Sequence, residues 1–381
     1  MNTLPRCALS VLLAATAAVP ATAATTVVTI GTAGPLTGPQ SAYGQDAVNG
    51  VILAIRTLNA VHAGIDGKPV LWKDDVEDDQ ADPKQATVVA QKFVDEKVNG
   101  VVGHLDSGCT YPASRIYDRA GIPEITPSST DPKIAQQGFK TFFRMLANDD
   151  AIGAGLAQYA AHTLHLKTVA VVDDGTAYGQ GIAKVFSADA KKDGLRVVDR
   201  EHTSDHATDF SAILTKIKAD HPALIFYGGA YTQAGPMLRQ MQQLGIKSRF
   251  MGGDGICTSE LAKLAGSAVN GVICAEGGAP LKDMPGGLAW KARYVKAFGA
   301  SALQPFSSYA YDATMVLAHA MMKARSADPK VYLPFIRNID YDGVTKKHIR
   351  FTAAGELVHP VITLSQFKDG LKAPLAVESV R

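Results

Sequence analysis

Long apolar runs are nearly absent from this 381-residue chain. Ala8–Val19 is apolar apart from Ser10 and Thr16, but it is too short to anchor a protein across a bilayer. No second run of membrane length follows, which argues against a helical membrane protein. A bias of charge is absent too: 38 basic residues stand against 36 acidic ones, with no basic block. The electrostatic footprint of a nucleic-acid or anionic-lipid binder is therefore missing. Phosphate-gripping motifs are also lacking. Gly34-Pro35-Leu36-Thr37-Gly38 has no Lys-Ser/Thr, and no Gly-x-Gly-x-x-Gly opens the first helix. The acidic run Asp74–Asp79 has no EF-hand spacing and reads as a solvated loop. No cofactor and no metal is expected.

What is present begins with a leader. Arg6 supplies a positive start, and Pro20-Ala21-Thr22-Ala23 closes the apolar run with the small residues that a signal peptidase reads. Residues 1–24 are therefore expected to be a signal peptide. Cys7 precedes the apolar run, badly placed for a lipid anchor, so the mature chain is expected to be exported without a membrane anchor. Cysteine is scarce, four residues in all, and the leader takes one. A disulfide between Cys257 and Cys274 suits an oxidising compartment and leaves Cys109 free. The alternative is that all three are small buried hydrophobes.

Beyond the leader the chain exceeds what one hydrophobic core usually serves, so two domains are expected. Short β-branched runs at Thr26–Ile30, Pro69–Lys73, Val101–Gly103 and Pro123–Ile125 alternate with helical patterns at Gly44–Ala60, Lys84–Glu96 and Pro112–Arg119. The alternation restarts after Asn148-Asp149-Asp150, an N-terminal cap for a helix to Leu164. Strands then follow at Thr168–Val172, Arg196–Arg200, Ala223–Tyr227 and Phe250–Gly252, and the tail Pro360–Phe367 reads as another. Such repetition predicts an α/β protein with parallel sheets covered on both faces, in two similar lobes.

In open parallel sheets a ligand sits beyond the carboxyl ends of the strands, where helix N-termini point. The first-half junctions are rich in hydroxyls: Gly103-His104-Leu105-Asp106-Ser107 and Ile125-Thr126-Pro127-Ser128-Ser129-Thr130. Exposed N–H groups with Ser107, Ser128, Ser129 and Thr130 can hold an anionic oxygen such as a carboxylate. The second-half junctions carry Gly228-Gly229-Ala230-Tyr231 and Gly252-Gly253-Asp254-Gly255. Asp254 is the natural acceptor for an ammonium, so a zwitterion would bridge the halves. Tyr43, Tyr178 and Phe306 would cover its side chain. Taken singly, these residues are also ordinary caps, turns and core aromatics. For a hydrolase using Ser107 or Cys109, the sequence offers only His104 as a nearby base. His202 and His206 read as loop residues rather than a metal face.

Gly103-His104-Leu105-x-Ser107 with Pro112-Ala113-Ser114, Ile125-Thr126-Pro127, Asp82-Pro83-Lys84-Gln85-Ala86, Tyr227-Gly228-Gly229 and Leu238-Arg239-Gln240 together resemble the periplasmic leucine/isoleucine/valine-binding proteins of ABC importers. The resemblance implies a type I periplasmic binding protein fold: two Rossmann-like lobes joined by three crossovers. Lobe 1 would take 25–147 and 279–355, lobe 2 148–278 and 356–381. It also implies a non-enzymatic, monomeric carrier that hands a small amino acid to a membrane ABC permease. An amide, urea or aromatic acid is the alternative cargo. By this likeness Ser107 and Thr130 hold the α-carboxylate, with Ser128 alongside, and Asp254 holds the α-amine. Tyr43, Tyr178 and Phe306 fall at pocket positions, as do Leu105 and Ser129 in the matching junctions. Two departures stand out. Ala230, followed by Tyr231, occupies a place where those binders present tyrosine, and Ala81 and Asp106 fall where they carry a disulfide. An extra carboxylate at Asp106 predicts a pocket less aliphatic than a leucine site, suited to a small polar or ω-amino acid.

Overall fold

The structure is a computed structural model that describes residues 25–379; the expected leader, 1–24, lies outside the described residues. β1 (Thr26–Gly34) opens with Thr26, Val27, Val28, Thr29 and Ile30, whose branched Cβ atoms suit extended backbone. From Ile30 to Gly34 every residue is buried, so the strand delivers its carboxyl end into the interior. Next come α1 (Ser41–Ala60), β2 (Val70–Asp78), α2 (Pro83–Asp95), β3 (Gly100–Val102), α3 (Ser107–Ala120), β4 (Glu124–Thr126), α4 (Lys133–Gln136) and β5 (Phe142–Arg144). These strands form a parallel sheet in the order β2-β1-β3-β4-β5.

Asn148 then caps α5 (Asp149–Gln158) by accepting the Ala151 N–H, and the chain enters a second sheet. Its parallel part comprises β6 (Thr168–Asp173), β7 (Arg196–His202), β8 (Leu224–Gly228), β9 (Arg249–Gly252) and β10 (Ile273–Gly277). The intervening helices are α6 (Ala177–Lys192), α7 (Ser211–Ala219), α8 (Tyr231–Gln243) and α9 (Ser259–Ala265). Most residues of β6 and β8 are buried, and successive side chains of the two strands pack on opposite faces of the sheet. Val169, Val171 and Phe226 join Ile152, Ile182 and Phe186 of α5 and α6, with Phe186 stacked on Phe226 at 3.8 Å. Ala170, Val172 and Ile225 join Leu214, Met237 and Met241 of α7 and α8.

After β10 the chain returns to the first sheet through α10 (Gly287–Phe298), α11 (Ser307–Ala324) and α12 (Pro329–Arg337). α11 lies along α1, and only glycine permits the approach: a Cβ on Gly50 would sit 2.1 Å from the Ser307 carbonyl oxygen. β11 (Val361–Lys368) and β12 (Leu371–Ser379) finally rejoin the second sheet, both antiparallel, giving β12-β11-β10-β9-β8-β6-β7. The chain thus passes between the lobes after β5, after β10 and before β11. In each sheet the strand order reverses, at β1/β3 in the first and β6/β8 in the second. Those are the positions where adjacent loops diverge and leave a crevice.

Four expectations need correction. The acidic run Asp74–Asp79 is not a solvated loop: Asp74 to Asp78 lie in β2, where Asp74 accepts the Thr32 hydroxyl at 2.6 Å, and Asp79 is fully buried. α3 starts at Ser107 rather than Pro112, so the proline sits inside the helix. β5 and β12 fall in segments not expected as strands. The second sheet is mixed rather than wholly parallel.

Candidate functional site

At the crevice the first lobe presents the loop after β4. Thr126 donates its hydroxyl to the His104 carbonyl at 2.8 Å and accepts the N–H groups of Ser128 and Ser129. This local winding faces Ser128 and Thr130 toward the cleft, while Ser129 turns inward to the carbonyls of Leu105 (2.8 Å) and His104 (3.1 Å). Ser107, at the first turn of α3, accepts the N–H groups of Thr130 (3.3 Å) and Asp131 (3.2 Å). With its lone pairs occupied, the Ser107 hydroxyl is left as a donor. It stands beside the Ser107 and Gly108 N–H groups, which a helix start leaves without intrahelical acceptors. This wall is built to donate to an anionic oxygen.

The loop is fixed from behind by the fully buried Arg144 of β5. Its Nη1 donates to the Ser129 carbonyl at 2.6 Å and its Nη2 to that of Asp131 at 2.9 Å. Its Nε lies 3.0 Å from Glu356 Oε2, on the segment that leads back to the second lobe.

The second lobe presents an acid. Asp254 follows β9, is 5% exposed, and accepts the Tyr178 hydroxyl at 2.7 Å and the Gly255 N–H at 3.1 Å, both on Oδ1. Tyr178 in turn accepts the Gly255 N–H at 2.9 Å, which locks the carboxylate in place. Burial pushes Asp254 up to about 6, and the Tyr178 hydrogen bond opposes that rise.

Aromatic rings close one end. Tyr43 packs edge-on against Phe306 and Tyr231, each 5.0 Å away. Two hydroxyls reach across the cleft, Tyr43 to the Gly255 carbonyl (3.3 Å) and Tyr231 to the Pro39 carbonyl (3.0 Å). Phe306 is held by buried Asp46, which accepts the N–H groups of Phe306 and Ser307 at 2.9 and 2.8 Å.

Between these walls lies a cleft of about 690 Å³. Tyr43, Leu105, Asp106, Ser107, Ser128, Thr130, Tyr178, Ala230, Asp254 and Phe306 line it together, drawn from positions far apart in sequence. Ser129 and Tyr231 stand behind the lining. Sequence reasoning missed Gln40, Tyr111, Lys133, Asp174, Thr203, Ser204 and Asp205, which also line it. Asp205 carried a usable signal: it follows the carboxyl end of β7, where a cleft residue is expected. Arg144 and Asp46 carried none, because their role is to hold other residues.

The neighbouring reactive groups are already committed. His104 is fully buried, with Nδ1 2.7 Å from Asp79 and Nε2 3.0 Å from the Tyr117 hydroxyl, so neither nitrogen is free to serve Ser107 or Cys109. Asp79, Asp106 and Cys109 bring ligand atoms within 4.8 Å of one another. Asp79 is spent on His104 and the Ala81 N–H, and burial pushes the Cys109 thiol well up, so Asp106 alone of the three keeps a carboxylate oxygen without a partner. Cys257 and Cys274 have their sulfurs 2.09 Å apart.

A family model described as periplasmic binding protein matches residues 27–370. The chain belongs to the periplasmic binding protein family. This periplasmic binding protein is 39% identical over 306 residues to the "Amino acid binding protein" of Pseudomonas aeruginosa, covering 79% of each chain. It is 36% identical to the Leu/Ile/Val-binding protein homolog 1 of Brucella abortus, covering 79% of this chain and 80% of the relative. The solved branched-chain amino acid transporter substrate-binding protein LivJ of Streptococcus pneumoniae, in complex with isoleucine, superposes with a TM-score of 0.83 at 27% identity, covering 93% of this chain and 99% of that one. The fold is therefore that of the type I periplasmic binding proteins. Among the described residues no helix is long and apolar enough to cross a membrane.

Proposed function

We propose that this protein captures an α-amino acid between its lobes and delivers it to a membrane ABC permease without chemical turnover. The lobes are assigned as 25–147 with 279–355, and 148–278 with 356–381. The observation that carries the reading is the opposition of two walls. Ser107 and Thr130 offer neutral donors for a carboxylate from one lobe, and the Tyr178-held Asp254 offers an acceptor for an amine from the other. A ligand carrying both groups rewards closure, because each lobe then gains a contact that it lacks when open. The commitment of His104 to Asp79 and Tyr117 supports binding rather than hydrolysis. Export to the periplasm with removal of residues 1–24, a monomeric state and an oxidised Cys257–Cys274 pair complete the reading.

Thermal-shift and calorimetric titration across the amino acids, with their des-amino and carboxamide analogues, test it. A tight ligand raises the melting temperature by mass action. Removing either the amine or the carboxylate is expected to abolish the shift. Binding of benzoate or urea in preference to every α-amino acid would overturn the reading.

A further inference from the structure

Resting on the amino-acid reading above, the unused end of the cleft specifies the cargo further. Asp106 occupies the N-cap of α3, yet its side chain makes no capping hydrogen bond. An N-cap aspartate ordinarily accepts an N–H of the first turn. Here the carboxylate lies in the cleft lining instead, and its Oδ2 is shut off from solvent with no partner. Two more carboxylates line the cleft from the opposite lobe: buried Asp174, after β6, and Asp205, after β7. Burial first and then Asp79 push Asp106 up to about 7 against a contact from Gln40, and the charges of Asp174 and Asp205 add smaller rises across the gap. Asp79 cannot relieve them, being tied to His104. Lys133 is the only cation among the lining residues, and its backbone is held at Asp131.

Closing the lobes over an aliphatic side chain brings like charges together in a drying cleft, which opposes closure. A cation placed between them turns that repulsion into attraction. Asp254 has its own free oxygen for the α-amine, so a second positive charge on the ligand's side chain would answer the remaining carboxylates.

We propose that the cleft is specific for amino acids with a cationic side chain, an ω-ammonium or guanidinium group seated between Asp106 of one lobe and Asp174 and Asp205 of the other. The volume of about 690 Å³ leaves room for a long side chain of this kind.

Calorimetric titration of the exported protein with L-arginine, L-lysine, L-leucine and L-citrulline tests this. Citrulline keeps the shape of arginine and removes its charge. Arginine or lysine is expected to bind at least about tenfold tighter than citrulline and leucine, the scale of one charge-assisted hydrogen bond. Asp106→Asn and Asp205→Asn should each lower the arginine-to-citrulline ratio several-fold; Asp205 lies in an exposed loop, so that variant is expected to fold. Leucine binding tighter than both cations, or a ratio unmoved in the folded variants, would overturn this inference and leave the amino-acid reading intact. Absence of binding by all four, together with binding of benzoate, would overturn both.

Discussion

On the first lobe the cleft wall consists of neutral donors whose geometry is set by backbone: Thr126 winds the loop, Ser107 accepts two N–H groups, and Arg144 fixes two carbonyls from behind. On the second lobe the wall is a buried charge held by one tyrosine. Neutral hydroxyls can be buried cheaply once their partners are local. A carboxylate cannot, and it remains costly until a counter-charge arrives. The hydroxyl part of the first wall is therefore satisfied without ligand, whereas the carboxylates that line the cleft are not. Ligand discrimination and pH response should concentrate on the cleft carboxylates, and structural fragility on the hydroxyl wall.

The largest expected effect attacks the support of the neutral wall. Arg144→Met strands the carbonyls of Ser129 and Asp131 and removes the partner of Glu356. It should cost about 3–5 kcal/mol of unfolding free energy, the scale for breaking a buried ion pair, read as a lower denaturant midpoint. A change under about 1 kcal/mol, typical of a surface site, would show that the loop holds itself. Next comes the contrast between the walls. Asp254→Asn should weaken amino-acid binding roughly 100-fold, while Ser107→Ala should weaken it about fivefold, since a buried ion pair loses more on truncation than one of several neutral donors to a carboxylate. Equal losses would erase the distinction between charged and neutral walls.

The smallest effect is in pH. Asp254 sits at about 6 in the folded protein, against an ordinary value of 3.8. Its protonated form prevails below that point, so affinity should fall about tenfold between pH 7 and pH 5. The stability sign is opposite. The folded values of Asp254 and Asp174, both about 6, and of Asp106, about 7, are raised above 3.8. Their contribution to the stability of the ligand-free protein is thus fully present below about pH 4 and lost as pH rises through 6 to 7. Thermal scans should show these groups lowering the ligand-free melting point across that window while the ligand-induced shift grows. A ligand-induced shift that is flat with pH would remove Asp254 from the amine site.

Much of the scaffold was legible because its signals are local. Short β-branched, apolar runs marked β6 and β8, and Asn148 announced α5 with its cap. The failures have physical causes. Carboxylates are depleted from strands, so Asp74–Asp78 read as a loop; β2 tolerates them on an edge strand, where Thr32 pairs one oxygen of Asp74. β12 holds Pro374, which an edge strand accepts because one row of N–H groups needs no partner. β5 is three residues long and has no periodicity to read.

Taken alone, the amino-acid sequence determined the α/β alternation and which residue types stand at each strand-to-helix junction, because caps, strand composition and junction residues act over a few positions. Tertiary structure alone decided that Arg144 and Asp46 are supports, that Ser129 faces inward, and that Asp106 lines one cleft with Asp174 and Asp205. Those relations join residues far apart along the chain, and neither repulsion nor rescue between charges exists until folding brings them within reach.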